Sequence, residues 1–372
     1  MSKLFKYAFS DLYDISSGIS STKDQAGHGT PFASFRTVFN NIFLPDKLPD
    51  LMEVSEKEKK IYSIKKGDIL ITRTSETVDE LAMSCVALKD YPQATYSGFV
   101  KRLRPKTEGI VYDRFMAFFL RSKYFRKVIE CNTIMTLRAS FNEDIFSFLD
   151  LYLPDYETQK RIGDLLYHME RKRENNAQIN DNLHQMAHMT FMHCFWGKPT
   201  NGTIGEILIE HEKSPIQVGQ AKNAVGSYPF FTSGDAVLRW KSSLIDGRNI
   251  FMNTGGNAGV KFYVGKAAYS TDTWCVSARD GLSDYLYLFL ESIKPELSQK
   301  FFQGTGLKHL QKPILKNRPM YIPSKDELEV FNHSVIPWLT LVSDNIRESE
   351  RLAALRDWLL PMLMNGQATI ED

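Results

Sequence analysis

Tyr152-Leu153-Pro154 and Tyr321-Ile322-Pro323 lie 169 positions apart, and each leads into a long amphipathic stretch that keeps the same offset without a gap. A chain that states a domain-plus-helix unit twice is expected to have a pseudo-twofold architecture, with two similar working surfaces held at a fixed separation. A heptad frame tests the repeat. With Ile162 at position a, the first stretch places Ile162, Met169, Asn176, Leu183 and Thr190 at a, and Leu165, Lys172, Ile179, Met186 and His193 at d. Adding the offset places Phe331, Trp338, Asn345, Leu352 and Leu359 at a, and Ser334, Leu341, Glu348, Leu355 and Met362 at d. Most of these are apolar, as a coiled-coil seam requires. Asn176 and Asn345 are equivalent, and a buried polar residue fixes register. An antiparallel pair would bring the central polar positions together and could set Lys172 against Glu348.

Outward from the two stretches, the organisation reads α+β, helix, α+β, helix. Residues 1–154 form a first mixed domain, 155–196 a central helix, 197–323 a second mixed domain and 324–372 a closing helix. Gly67-Asp68-Ile69-Leu70-Ile71-Thr72-Arg73 reads as a turn feeding a buried strand. Arg114 to Val128 reads as one helix with Phe115, Phe118, Phe119 and Phe125 on its apolar face. Gly197-Lys198-Pro199-Thr200-Asn201-Gly202 reads as a linker. Ile250-Phe251-Met252 and Val260-Lys261-Phe262-Tyr263-Val264 read as strands around the turn Thr254-Gly255-Gly256-Asn257-Ala258-Gly259, and a helix starts at Tyr285. The closing helix is expected from about Asp326 to Met364, kinked near Pro337 and Pro361 and stopped at Asn365-Gly366.

The 372 residues, 43% of them hydrophobic, suffice for two or three cored domains. The net charge of +2 does not announce nucleic acid, so any nucleic-acid face must be local. Cys85, Cys131, Cys194 and Cys275 form no CxxC pair, which fits a reducing, cytoplasmic setting. The first residues lack the apolar core of a signal peptide, and no run of 18 apolar residues would span a membrane.

Catalytic signals are weak. Pro49-Asp50 and Glu58-Lys59-Lys60 have the letters of a PD…ExK nuclease, but the run Glu53 to Lys60 reads as a solvated charged segment. His184 and His188 share a helix face with no second ligand cluster, so no metal site is expected; His193 is expected to face the partner helix. The turn Gly255 to Gly259 precedes a strand, not the helix that a dinucleotide site requires. No amino-methyltransferase tetrapeptide (Asn/Asp-Pro-Pro-aromatic) and no GxSxG elbow occurs. The pattern is that of a binding protein, with no catalytic residue of its own.

Polar loops suggest what is bound. In the first domain they are Ser20-Ser21-Thr22-Lys23, Gly27-His28-Gly29-Thr30 and Thr72-Arg73-Thr74-Ser75. In the second they are Gln220-Ala221-Lys222-Asn223, Thr232-Ser233-Gly234-Asp235 and Asn253 through Asn257. Such side chains can contact phosphates and base edges. The candidate DNA contacts are Lys23, Arg36, Arg73, Thr74, Ser75 and Lys101 in the first domain, and Lys222, Ser233, Arg239, Asn253, Asn257 and Lys261 in the second.

Four segments carry a family resemblance. They are Lys66-Gly67-Asp68-Ile69-Leu70-Ile71-Thr72-Arg73-Thr74; Tyr228-Pro229-Phe230-Phe231-Thr232-Ser233-Gly234-Asp235; Thr305-Gly306-Leu307-Lys308-His309-Leu310 ahead of Tyr321-Ile322-Pro323; and Leu153-Pro154-Asp155-Tyr156-Glu157-Thr158-Gln159. In this order, duplicated around two long helices, the chain resembles the specificity subunit of a type I restriction–modification system over essentially its whole length. The resemblance implies two target recognition domains, each reading half of a bipartite double-stranded DNA site. It implies an antiparallel helix pair that spaces the halves and docks two methyltransferase subunits, to which motor–nuclease subunits add. S-adenosylmethionine, ATP and magnesium would then belong to the partners, and none to this chain. Two departures concern the domain–helix junctions: Asp326-Glu327 replaces the usual Glu-x-Gln, and Thr136-Leu137-Arg138 stands where the second half has Thr305-Gly306-Leu307. The other reading is a DNA-independent scaffold or inhibitory protein of the same fold that binds a protein partner; it would show mild salt dependence and no sequence preference.

Overall fold

The computed structural model describes residues 3–77, 80–132, 139–141, 143–368 and 370, so the Thr136-Leu137-Arg138 departure lies outside the described residues. The chain divides into two compact units, residues 1–172 with 351–372 and residues 173–350. Each unit joins one mixed domain to part of both long helices.

The two domains have one topology. In the first, a four-stranded antiparallel sheet runs in the order Tyr13–Ser17, Val100–Pro105, Ile69–Thr72, Ser84–Val86. In the second, the order is Leu208–Glu210, Thr273–Ala278, Arg248–Asn253, Val260–Val264. Both sheets therefore take their first strand, then their last, then the two between. Ile69–Thr72 is buried along its whole length, as expected of a short apolar run bounded by turns. A smaller three-stranded sheet accompanies each. Ala26–Ala33 pairs antiparallel with Asp50–Met52 and parallel with Thr95–Tyr96. Tyr228–Phe231 pairs antiparallel with Val237–Trp240 and parallel with Ala268–Tyr269. Each domain is closed by pairing its first and last strands just ahead of the proline: Phe5–Ala8 with Asp150–Leu153, and Gly202–Thr203 with Pro319–Met320.

Both long helices contain 40 residues, Tyr156–Phe195 and Lys325–Met364. Asp155 caps the first through its carboxylate, which accepts from Thr158 N–H at 3.0 Å. Ser324 and Glu327 form a reciprocal box on the second, with Ser324 N–H donating to Glu327 at 2.8 Å and Glu327 N–H to Ser324 Oγ at 3.3 Å. Glu327, one of the two residues that depart from the family pattern, is thus a cap. Lys198 holds its carboxyl down at about 2, with help from Ser324 and Tyr321. Pro337 and Pro361 do not end the closing helix.

Within each unit the helices run antiparallel. Glu170 accepts from Arg356 at 2.8 Å and Ile370 O from Arg161 at 3.4 Å in the first unit. In the second, Asn176 donates to Glu348 at 2.8 Å, Asn345 donates to Asn180 at 2.8 Å, and the Phe195 and Phe331 rings sit 5.1 Å apart. The a positions Ile162, Met169, Asn176, Phe331 and Asn345 are buried. The d positions need correction: Ile179, Met186, Leu341 and Leu355 are exposed, while Leu166, Ala187, Val335 and Val342 are buried. The second row of the seam lies one residue later than the heptad frame put it. Leu165, Leu183, Trp338, Leu352 and Leu359 are half-buried. His193 is exposed and does not face the partner helix. His184 and His188 instead meet Tyr287 and Ser292 of the helix Ser283–Ser292.

The helices complete the domain cores. Phe9, Phe115, Phe125 and Phe146 pack with Ile162, Leu166 and Leu363; Phe191 and Phe195 pack with Tyr285, Leu286 and Phe331. Each such side chain contributes about 1.5–3 kcal/mol on burial. The segment expected as one helix from Arg114 to Val128 is two, Asp113–Phe119 and Lys123–Asn132. Arg121 at the break donates to the carbonyls of Ser84, Val38, Phe39 and Asn41, and the Ser122 hydroxyl accepts from Phe125 N–H. Burial lowers the Arg121 guanidinium to about 10. In the second unit, Arg248 binds the buried Asp284 carboxylate and reaches Thr340 and the Ile336 carbonyl of the closing helix.

Candidate nucleic-acid interface

In the second unit three loops meet at the end of the strand Arg248–Asn253. Asn253 is buried; its Nδ2 donates to Asn257 O at 3.0 Å and its N–H to Gly259 O at 3.0 Å. A Cβ on Gly259 would lie 2.4 Å from Asn253 Nδ2, so the turn closes tightly only with glycine there. Ser233 Oγ accepts from Thr254 N–H at 3.0 Å, which ties loop 232–236 to the turn. Lys261 donates to Thr232 O at 2.8 Å and to Gly234 O, and burial pushes its ammonium below the ordinary lysine range. Gly256 N–H donates to Lys308 O at 2.9 Å, and Leu310 N–H to Thr254 O at 2.9 Å, which brings in the segment 304–310. Loops tied in this way hold their outward side chains in fixed positions.

The first unit repeats the frame. Arg73 N–H donates to Phe99 O at 2.8 Å, and Arg73 O accepts from Phe141 N–H at 2.8 Å. Thr74 and Ser75 pair with Ser140 and Ala139. Beside them lies a depression of about 380 Å³ between Phe35, Phe39 and Phe99.

The candidate contacts fall into three groups. Lys23, Arg36, Arg73, Lys222 and Asn257 are exposed. Thr74, Ser75 and Ser233 are half-buried within the loop frames. Four others are structural in this fold. Lys101 is 6% exposed and paired with Glu143 at 3.3 Å. Arg239 binds Glu350 at 2.9 Å and Ser227 O at 3.0 Å, anchoring its hairpin to the closing helix. Asn253 and Lys261 build the loop cluster from inside. The same loops expose Lys308 and His309, which stood in the sequence inside Thr305 to Leu310 and were not among the candidates.

The nuclease letters come to nothing as a site: Asp50 accepts from Thr37 at 3.3 Å, and Glu58 caps its own helix through Ser55. Among the described residues there is no group of three or more His, Cys, Asp or Glu side chains that could hold a metal, and no helix is long and apolar enough to cross a membrane.

Two domains of one topology, each with a rigid set of polar loops and each completed by both long helices, define a duplicated recognition protein. The chain belongs to the family of the type I restriction modification DNA specificity domain, whose model matches residues 6–185 and 196–334. Over 189 residues it is 30% identical to the type I restriction enzyme HindI specificity subunit of Haemophilus influenzae, a match spanning 50% of this chain and 39% of that protein. Over 369 residues it is 21% identical to the type I restriction enzyme MjaIX specificity subunit of Methanocaldococcus jannaschii, spanning 87% of this chain and 82% of that one. The match thus covers well under half of the first relative and most of the second. The fold is similar to the crystal structure of the type I restriction-modification S subunit from M. genitalium, with a TM-score of 0.69 at 13% identity over 97% of this chain and 96% of that chain.

Proposed function

We propose that this chain is the DNA-reading specificity subunit of a type I restriction–modification complex. The two domains each read half of a bipartite double-stranded DNA site through their loop clusters. The long helices set the distance between the halves and dock two methyltransferase subunits; motor–nuclease subunits join them in the full complex. The chain performs no bond chemistry, and S-adenosylmethionine, ATP and magnesium are bound by the partners. The observation that carries this reading is the duplicated backbone frame: Arg73 and Thr254 take the same two backbone hydrogen bonds, in loops whose side chains otherwise differ. One frame with two sets of side chains suits two different half-sites. Near-neutral net charge is compatible with it, because partner subunits can share the phosphate contacts.

The test is sequence-resolved methylation of DNA in cells that express the chain with its methyltransferase, compared with cells lacking the chain. A split motif of two short half-sites, present only with the chain, is expected. Methylation that is indifferent to the chain, or a single continuous motif, would sink the two-reader model and favour a scaffold that binds protein.

A further inference from the structure

Phe99 and Asp272 occupy one position in the two repeats. Phe99 O accepts from Arg73 N–H at 2.8 Å; Asp272 O accepts from Thr254 N–H at 3.3 Å and from Thr254 Oγ1 at 2.7 Å. Each residue directly precedes the second strand of its sheet, Val100–Pro105 or Thr273–Ala278. The carbonyls of Arg73 and Thr254 accept from Phe141 and Leu310, which are themselves 169 positions apart. The backbone slot is therefore the same, and only the side chains differ.

Neither side chain serves the fold. Phe99 is 64% exposed and belongs to no core cluster. It lines one depression with Thr74, Ser75, Glu76, Glu80 and the Phe35–Phe39 pair, whose rings stack 5.8 Å apart at 19°. Asp272 is exposed, and its carboxylate has no hydrogen bond or ion pair among the described residues. On a face turned toward phosphates an unpaired carboxylate is repelled, unless it points at a donor. The major groove offers such donors, the exocyclic amino groups of cytosine and adenine, and one apolar feature, the C5-methyl of thymine.

We propose that this slot reads a base in each half-site: Phe99 seats a thymine methyl against the Phe35–Phe39 wall, and Asp272 accepts from the exocyclic amino group of a cytosine or adenine. The inference rests on the two-reader function proposed above and names the residues that set its specificity. The same slot excludes the opposite edges. A carboxylate repels guanine O6 and thymine O4, and a phenyl ring leaves an amino group without its water.

The experiment uses the full chain with its methyltransferase subunits and maps methylation for wild type, Phe99→Ala and Asp272→Ala. Phe99→Ala should relax one thymine position in one half-site only. Asp272→Ala should relax one cytosine or adenine position in the other half-site only, with discrimination there falling about ten-fold or more. On duplexes carrying the wild-type motif, uracil in place of that thymine should weaken wild-type binding about four-fold and leave Phe99→Ala unmoved. Uracil placed at each thymine of the motif in turn needs no variant, so wild-type indifference at every one overturns the Phe99 reading even if Phe99→Ala assembles poorly. Wild type that ignores the methyl, variants that keep the full motif, relaxed positions in a single half-site, or uniform weakening at every position would each overturn the assignment. A wild-type chain that yields no split motif would instead overturn the two-reader function itself.

Discussion

Arg73 is fixed through its backbone and leaves its side chain outside the core, with no partner for the guanidinium among the described residues. That is the condition for a bidentate contact to guanine O6 and N7, since the fork geometry of arginine matches those acceptors and the frame sets where it points. Arg73→Ala is expected to relax one base position in one half-site at about 1–3 kcal/mol, read as the methylation motif or as binding to single-substitution duplexes. A uniform loss over all sequences would make Arg73 a phosphate contact. In the sequence, Arg73, Lys101, Arg239 and Lys261 look alike, as cations near hydroxyl-rich turns. The fold separates them by what lies opposite: none of the described residues for Arg73, Glu143 for Lys101, Glu350 for Arg239 and two carbonyls for Lys261. Those partners come from distant parts of the chain, so local composition could not have named them. Phe99 was hidden for the opposite reason, since an aromatic residue ahead of a strand reads as core until its exposure is known.

Both long helices are legible in the sequence, because 40 residues of apolar period and a proline-led start leave little choice. The seam is legible to within one residue. Leu165 and Leu166 are both leucine, so pattern alone does not say which one faces the partner helix. Burial decides for Leu166, and the same shift carries Ile179 and Met186 out to solvent and Ala187 in. The break at Arg121 was invisible because the helical spacing of Phe115, Phe118, Phe119 and Phe125 spans it, whereas the break is held by four backbone carbonyls that converge on one guanidinium. Arg248 works in a similar way on the helix Ser283–Ser292, holding Asp284, whose carboxyl burial pushes up. Arg248→Ala should cost about 3–5 kcal/mol at neutral pH, because it leaves a buried carboxylate without its cation. Burial raises the Asp284 carboxyl while Arg248 lowers it, so without Arg248 the folded state holds that proton more readily still, and the loss should shrink as pH falls toward the carboxylate range and grow as it rises. Thermal melts of Arg248→Ala from pH 4 to pH 8 check this; a loss that does not vary with pH would mean that Asp284 stays ionised.

Under the proposed function, helix length specifies target spacing. Inserting one heptad into both helices at matched positions adds ~10 Å at 1.5 Å per residue, or about three base pairs. The methylated motif should keep both half-sites and lengthen its spacer by that amount; an altered half-site with an unchanged spacer would refute the role of the helices. The division of the chain has a different consequence, in the order of synthesis. Residues 173–350 form one unbroken segment, whereas the first unit needs residues 351–372 to cover Ile162, Leu166 and Met169. A ribosome delivers the second domain's whole unit before it delivers the last piece of the first, so the domain made first is the one finished last. A chain ending at Glu350 should therefore keep the second unit resistant to protease while the first is cut. Equal resistance of both would show that the first domain closes without waiting for the segment after Glu350.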